Sequence, residues 1–276
     1  MSHVIAFDIG GTNTRVALFN ADYQPVSIIK IPTVNTSKEA FIQSINDLTV
    51  KLIALVPEIK CVVLGVAGRV RLDGFIEELP NLFLSNIDFV KNFRDEFNLT
   101  AYVLNDAVVA GYAEALIGEG KDFDRVYFIT ISTGVGGALF MHQNFIPSSD
   151  EIGHTLFKYQ DTFYEFEKIA SGRGLVTLAK LNQLDLSTAK DFFNEVRSGN
   201  LLAVRVFEDW ISLFREFLDF ISYAFRPDIV VLTGGVLHNK DLFFPRLTND
   251  SKLRIVPSVL FDDAGLYGAA AYGFKE

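Results

Sequence analysis

Val4 to Asn20 reads VIAFDIGGTNTRVALFN, and this stretch decides the fold. Two apolar strands, Val4 to Phe7 and Arg15 to Phe19, flank the glycine-rich turn Gly10-Gly11-Thr12, which is the pattern of a hairpin. Val126 to His142 reads VYFITISTGVGGALFMH and shares its outline: an apolar strand, a turn of small polar residues and glycine, then Ala-Leu-Phe. A motif that recurs in this way predicts two similar halves.

Moving outward, Gln24 to Ile31 continues the first hairpin as a third strand. Ser37 to Leu55 has helical spacing, which places Phe41, Ile45, Leu48, Leu52 and Leu55 on one face. Cys61 to Val66 is a short apolar strand running to Gly68. Ala101 to Leu104 is another, ending at Asn105-Asp106 before a helix from Ala107 to Leu116. The second half adds a Phe-rich apolar helix, Arg205 to Phe225, whose simplest role is core or dimer packing. It also adds the strand Ile229 to Leu232, which runs into Thr233-Gly234-Gly235, and a closing small-residue helix from Asp263 to Gly273. Strands alternating with helices predict an α/β architecture in two lobes.

Composition narrows the function. The chain has 276 residues, 49% of them apolar, enough for a large core and one or two domains. A formal charge of −9, without a Lys/Arg cluster, disfavours nucleic acid, which is bound by neutralising phosphates. No apolar run reaches the ~18 residues of a membrane span, and Met1-Ser2-His3 leads straight into a strand without the pattern of a signal peptide. The single cysteine, Cys61, excludes an internal disulfide and a cysteine-rich zinc site. A cytoplasmic location is expected.

Three glycine turns end apolar strands: Gly10-Gly11-Thr12, Ser132 to Gly137, and Gly234-Gly235. Glycine lets the backbone approach a phosphate, and successive N–H groups can cradle it. The second turn lacks the Lys and following helix of a P-loop, so neither that motif nor a dinucleotide fingerprint fits. Together the turns point to a nucleotide, with Asp8 placed to hold a hydrated Mg²⁺ ion. Asp106 opens a helix, where the dipole keeps a carboxylate ionised. It can be a helix cap or a base for a hydroxyl undergoing phosphoryl transfer. Glu151, His154 and Glu167 admit three readings: metal ligands, a surface ion pair, or a clamp for a polyhydroxylated ligand.

In order along the chain, Asp8-Ile9-Gly10-Gly11-Thr12, Leu104-Asn105-Asp106-Ala107, Ser132 to Gly137, Glu151-Ile152-Gly153-His154, Glu167 to Gly172 and Asp263-Ala264-Gly265 resemble the ROK sugar kinases of the actin/hexokinase superfamily. The resemblance implies a two-lobed actin-like ATPase (ribonuclease H-like) fold with an interdomain cleft. A small lobe, 1–104, would be joined by the helix 264–276, and 105–263 would form the large lobe. It implies ATP and Mg²⁺, a sugar hydroxyl as acceptor, and a homodimer. By position, Asp106 matches the catalytic base. Asn105, Glu151, His154 and Glu167 match sugar-binding positions, joined by Gly68 and Arg69 and by Asn81 in Pro-Asn-Leu. Gly10, Gly11, Thr12, Thr133 and Gly134 match the phosphate loops, and Gly234-Gly235 the adenosine loop.

The chain departs from that pattern. Many members carry a Cys-x-Cys-Gly-x-x-Gly-Cys zinc motif where this chain has Thr155 to Phe166, so no structural zinc is expected. Val66-Ala67-Gly68 stands where glucokinases have Pro-Gly, and Ala107-Val108 where Ala-Asn is frequent. These changes bear on which sugar is used. Glucose, giving glucose 6-phosphate, is the first expectation. N-acetylmannosamine is the alternative, followed by another hexose or N-acyl hexosamine such as fructose. A sugar-sensing regulator of the same family would need a helix-turn-helix, for which the strand at Val4 leaves no room. A non-catalytic ATPase relative would not need Asp106, Glu151 and His154 together.

Overall fold

Strand β1 (His3–Ile9) pairs antiparallel with β2 (Asn13–Phe19), and β2 pairs antiparallel with β3 (Pro25–Pro32), in a computed structural model that describes residues 2–147, 151–249 and 251–276. Helix α1 (Lys38–Ile53) comes next, then β4 (Ile59–Val66) parallel to β1. A small three-stranded sheet is made of β5 (Arg69–Val70), β6 (Ile76–Leu79) and β7 (Leu84–Ile87). After α2 (Phe89–Phe97), β8 (Ala101–Asn105) joins parallel to β4, and α3 (Asp106–Leu116) leaves its end. The five-stranded order is β3-β2-β1-β4-β8.

Side chains alternate across a strand, so β1 serves two cores. Ile5, Phe7 and Ile9 pack with Phe41, Ile45, Leu48 and Leu52 of α1, whereas Val4 and Ala6 pack with Val109 of α3. The α1 face matches the helical spacing except at Leu55, which lies past the C-cap Ala54 and is exposed. Ser37 caps α1 by accepting a hydrogen bond from the Ala40 amide at 3.0 Å.

The same topology then recurs. Strands β9 (Arg125–Ile131), β10 (Val135–Met141) and β11 (Asn144–Ile146) form an antiparallel meander. A 3-10 turn at Ile152–His154 leads into the hairpin β12 (Leu156–Tyr159) and β13 (Thr162–Glu165). The next helices are α4 (Phe166–Ala170), α5 (Gly172–Leu181), α6 (Ala189–Ser198) and α7 (Leu201–Phe225). Strand β14 (Ile229–Thr233) lies parallel to β9. Beyond α8 (Lys240–Thr248), β15 (Ile255–Pro257) lies parallel to β14. The order β11-β10-β9-β14-β15 repeats the first sheet, antiparallel then parallel. The likeness of Val4–Asn20 to Val126–His142 thus has a structural counterpart.

Helix α9 (Ala264–Lys275) ends the chain, and its Leu266, Ala269 and Ala270 share a core with Val109, Val4 and Ala6. This contact moves the boundary between the two units. The residues up to Gly118 form one unit with Asp262–Glu276, and Glu119–Phe261 form the other. The division therefore falls after α3 rather than after Leu104, because α3 is held by α9.

The apolar helix α7 is core to the second unit. Phe207, Trp210, Phe214 and Phe217 line its buried stripe, and Phe166 stacks on Phe217 with centroids 4.0 Å apart. Among the described residues, no helix is long and apolar enough to cross a membrane.

Cys61 is buried under α9, its thiol directed at the Gly273 carbonyl at 3.5 Å, and burial pushes its pKa up to about 11. The thiolate is the reactive form. Native protein at pH 8 is therefore expected to consume no thiol-specific disulfide reagent, and denatured protein one equivalent. Rapid titration of the native chain would contradict the packing of α9 on β4.

Candidate active site

In the first unit the chemistry gathers where β8 passes into α3. Asn105 is the N-cap: its Oδ1 accepts from the Ala107 amide at 2.9 Å, and its Nδ2 donates to the Gly68 carbonyl at 3.0 Å. One side chain thus caps the helix and ties it to the loop after β4. Asp106 is the first helical residue and is exposed. Asp106 Oδ1 also accepts from the Ala107 amide, at 2.9 Å, so the two neighbouring side chains share that donor. Arg69 is exposed and faces Glu78 across the β5–β6 pairing, with Nη2 and Oε2 3.7 Å apart. Asn81 lies in the 3-10 turn Pro80–Leu82 against Gly11, where a Cβ would come within 2.7 Å of the Asn81 Cβ.

The turn between β1 and β2 is closed by the Gly10 amide donating to the Asn13 carbonyl at 3.0 Å. The Thr33 hydroxyl donates to the Gly10 carbonyl at 2.8 Å. Asp8 is held by Arg15, whose Nη2 and Nε donate to the same carboxylate oxygen at 2.8 and 3.1 Å. The guanidinium reaches on to Asp263 Oδ1 at 2.9 Å, ahead of α9. A forked Arg between two carboxylates orients both and compensates their charge.

In the second unit Ser132 organises the corresponding turn. Its carbonyl accepts from the Gly172 amide at 2.7 Å, and its hydroxyl accepts from the Gly235 amide at 3.2 Å. The turns after β9 and β14 and the start of α5 therefore meet. They open onto a cavity of about 730 Å³ bordered by Thr133, Gly235, Arg173, Thr188, Lys190 and His238. Thr188 caps α6 on the Asp191 amide, and Arg197 on α6 donates to Asn239 at 2.7 Å and to both oxygens of Asp241 at 2.9 and 3.0 Å. One wall is thereby fixed to the start of α8.

The 3-10 turn and α4 bring the acidic and imidazole groups together. His154 Nε2 lies 3.7 Å from Glu151 Oε2 and 3.8 Å from Glu167 Oε1. Glu167 Oε2 accepts from the Val135 amide at 3.4 Å. This carboxylate explains Gly134, where a Cβ would come within 2.6 Å of Oε2. Gly153 is tighter still, because a Cβ there would lie 2.3 Å from the Val135 carbonyl oxygen. His154, Glu165 and Glu167 also present one donor atom each within 4.8 Å of one another, a spacing open to a cation. The chain places a cation of its own there: Lys168 Nζ lies 3.4 Å from Glu167 and 3.8 Å from Glu165. No thiolate is present among these donors, whose chemistry is one imidazole and two carboxylates.

The sequence model of the ROK family matches residues 4–274. The chain belongs to the ROK family. N-acetyl-D-glucosamine kinase of Haemophilus influenzae (strain 86-028NP) is 25% identical to this ROK chain, over 96% of this chain and 97% of that one. N-acetylmannosamine kinase of Shigella flexneri is 27% identical over 97% of each. Among solved structures, a ROK family glucokinase from Streptomyces griseus in complex with glucose and AMPPNP superposes with a TM-score of 0.76 at 22% identity, over 100% of both chains. The fold of this ROK protein is the α/β actin-like ATPase fold.

Within the ROK chain, the residues singled out from sequence fall into two groups. The first unit carries Asp8, Gly10, Gly11, Thr12, Gly68, Arg69, Asn81, Asn105 and Asp106. The second carries Thr133, Gly134, Glu151, His154, Glu167, Gly234 and Gly235. Sequence reasoning missed the Arg15 fork, the close approach of Gly153 and the wall formed by Thr188 and Lys190. Thr188-x-x-Asp191 is a helix-start signal, yet nothing in it says that the helix faces a cavity.

Proposed function

We propose that this ROK protein is an ATP-dependent sugar kinase that transfers the γ-phosphoryl group to a hexose hydroxyl, with Asp106 as the general base. The observation that carries the reading is the placement of Asp106 at the start of α3. Asn105 is the N-cap and shares the Ala107 amide with Asp106, whose exposed carboxylate stands at the positive end of the helix dipole. Such a carboxylate orients the acceptor hydroxyl and takes its proton as the bond to phosphorus forms.

The cavity bordered by Thr133, Gly235 and Thr188 has the volume of a small-molecule site and suits a nucleoside. The Thr133-Gly134 and Gly10-Gly11-Thr12 turns are assigned to its phosphates, and Gly234-Gly235 to the adenosine. ATP, when bound, supplies the phosphoryl group, and Mg²⁺ neutralises its charge. Asp8, oriented by Arg15, is the carboxylate we assign to the hydrated ion. Sugar recognition is assigned to Asn105, Gly68, Arg69 and Asn81, and to Glu151, His154 and Glu167. An imidazole between two carboxylates offers a donor and several acceptors to a polyol.

Glucose is the acceptor we assign, in line with the sugar bound by the Streptomyces griseus relative. N-acetylmannosamine is the alternative, in line with the 27% identity to the Shigella flexneri kinase. An ATP-coupled panel of glucose, fructose, mannose, N-acetylglucosamine and N-acetylmannosamine tests both. One acceptor is expected to exceed the rest by at least about tenfold in kcat/KM, the scale on which one or two well-placed pocket contacts discriminate. Sugar-dependent protection against unfolding without turnover would instead make the protein a sensor.

No structural zinc is part of this reading, because Lys168 already lies at the carboxylates that a metal would need. EDTA followed by Mg²⁺ is expected to restore full activity. Stoichiometric zinc in purified protein would overturn that part alone.

A further inference from the structure

The segment between His154 and Glu167 is the β12–β13 hairpin, and its base sets the separation of the two side chains. The Phe166 amide donates to the Thr155 carbonyl at 2.9 Å, so the chain closes on itself one residue inside each of them. A two-stranded hairpin is marginally stable by itself and needs anchors. It has two. Near the base, Phe157 packs on Phe166 and Phe217, with centroids 5.3 and 6.0 Å apart. Near the tip, where Tyr159 pairs with Thr162, the buried Tyr159 hydroxyl donates to Asp209 Oδ2 at 2.8 Å. The same hydroxyl accepts from Asn182 Nδ2 at 2.7 Å, and Asn182 also donates to the Leu178 carbonyl at 2.8 Å.

Asp209 lies on α7 beside Trp210, whose Nε1 donates to the Ala170 carbonyl at the end of α4, at 3.0 Å. One turn of α7 therefore holds the hairpin tip and the helix that carries Glu167. The hairpin and α4 form a bracket with both feet on α7. We propose that Tyr159 is a positioning residue for acceptor recognition, its hydroxyl locking the hairpin so that His154 and Glu167 stay at hydrogen-bonding spacing to one ligand. This rests on the assignment of His154 and Glu167 to the sugar. Tyr159 itself touches neither reacting group. A hydrogen bond to a charged acceptor inside the fold is stronger than an ordinary one, which is why its loss should be felt at the base of the hairpin.

The test compares wild type with Tyr159→Phe, which keeps the ring and removes the hydroxyl. Acceptor Kd by calorimetry and KM are expected to rise about tenfold, the size of losing one such bond. The change in kcat should stay within about threefold, and KM for ATP should not move. Amide hydrogen exchange should quicken across residues 156–167 and stay the same across β1, residues 3–9. Asp209→Asn, which keeps an acceptor oxygen but loses the charge, should lose less acceptor affinity than Tyr159→Phe, whereas Asp209→Leu should reproduce the Tyr159→Phe result. Unchanged acceptor affinity together with unchanged exchange overturns the proposal. A lowered Tm with unchanged acceptor KM also overturns it, because the hydroxyl would then serve stability alone. A wild-type protein that neither binds nor phosphorylates any sugar overturns the kinase reading instead, and the exchange comparison distinguishes the two failures.

Discussion

Asp106→Ala is expected to lower kcat by about 10²- to 10⁴-fold, the range for removing a general base, while acceptor Kd stays within about threefold. Folding should be little affected. The cap of α3 comes from Asn105 Oδ1, which the substitution leaves in place, and alanine is the best helix former. The variant should therefore melt close to the wild type, which separates lost chemistry from lost structure. Asn105→Ala makes the contrast. It removes the cap and the bond to the Gly68 carbonyl together, so it should disturb stability as well as acceptor binding. Near-normal turnover by Asp106→Ala would remove Asp106 from the mechanism, because a lost base cannot be replaced by the distant scaffold.

Gly153→Ala is expected to raise the acceptor KM by at least about tenfold and to destabilise the fold by about 1–3 kcal/mol, the usual effect of overpacking. The added methyl would lie 2.3 Å from the Val135 carbonyl oxygen, a backbone atom that cannot swing aside. Either the 3-10 turn lifts off β10 or the strand shifts. Both movements displace His154, which directly follows Gly153, and both disturb the Val135 amide that binds Glu167. Because Thr133 and Gly235 border the cavity from other turns, KM for ATP should change much less. Equal losses for both substrates would show a general collapse and would argue against a local clamp. The readout is a KM pair for acceptor and ATP alongside a melting curve.

Much of the scaffold is legible in the order of residues. The apolar residues of β1 and the small-residue turn after it obey local rules of burial and turn formation, so the hairpin and its repeat can be read directly. The helix α1 can be read too, apart from Leu55, because its spacing continues past the point where the backbone stops being helical. The boundary between the units is placed too early by the sequence for a different reason. Whether α3 belongs with β8 or with β9 depends on α9, which lies far away in the chain. The apolar helix α7 is legible as buried, but its service to α4 through Phe217 and Trp210 is not.

The candidate site divides in the same way. Residue types and order are enough to nominate Asp106, the glycine turns and the Glu151–His154–Glu167 group, because each sits at a strand or helix end where local chemistry is constrained. Which of them cooperate is decided by contacts between distant segments. Asn105 reaches Gly68, Glu167 reaches the Val135 amide beside Gly134, and Arg15 reaches Asp263. The segment Thr155 to Phe166 carries no cysteine, and its residue order does not show how its two ends are held. The fold supplies a hairpin whose tip is held by Tyr159, Asp209 and Asn182. By itself, then, the sequence determined the elements, their repeat and the chemical vocabulary of the site, since periodicity and turn chemistry act over a few residues. Only the tertiary structure decided the pairings, because a hydrogen bond between residues fifty positions apart depends on how the intervening helices pack, and no local pattern records that.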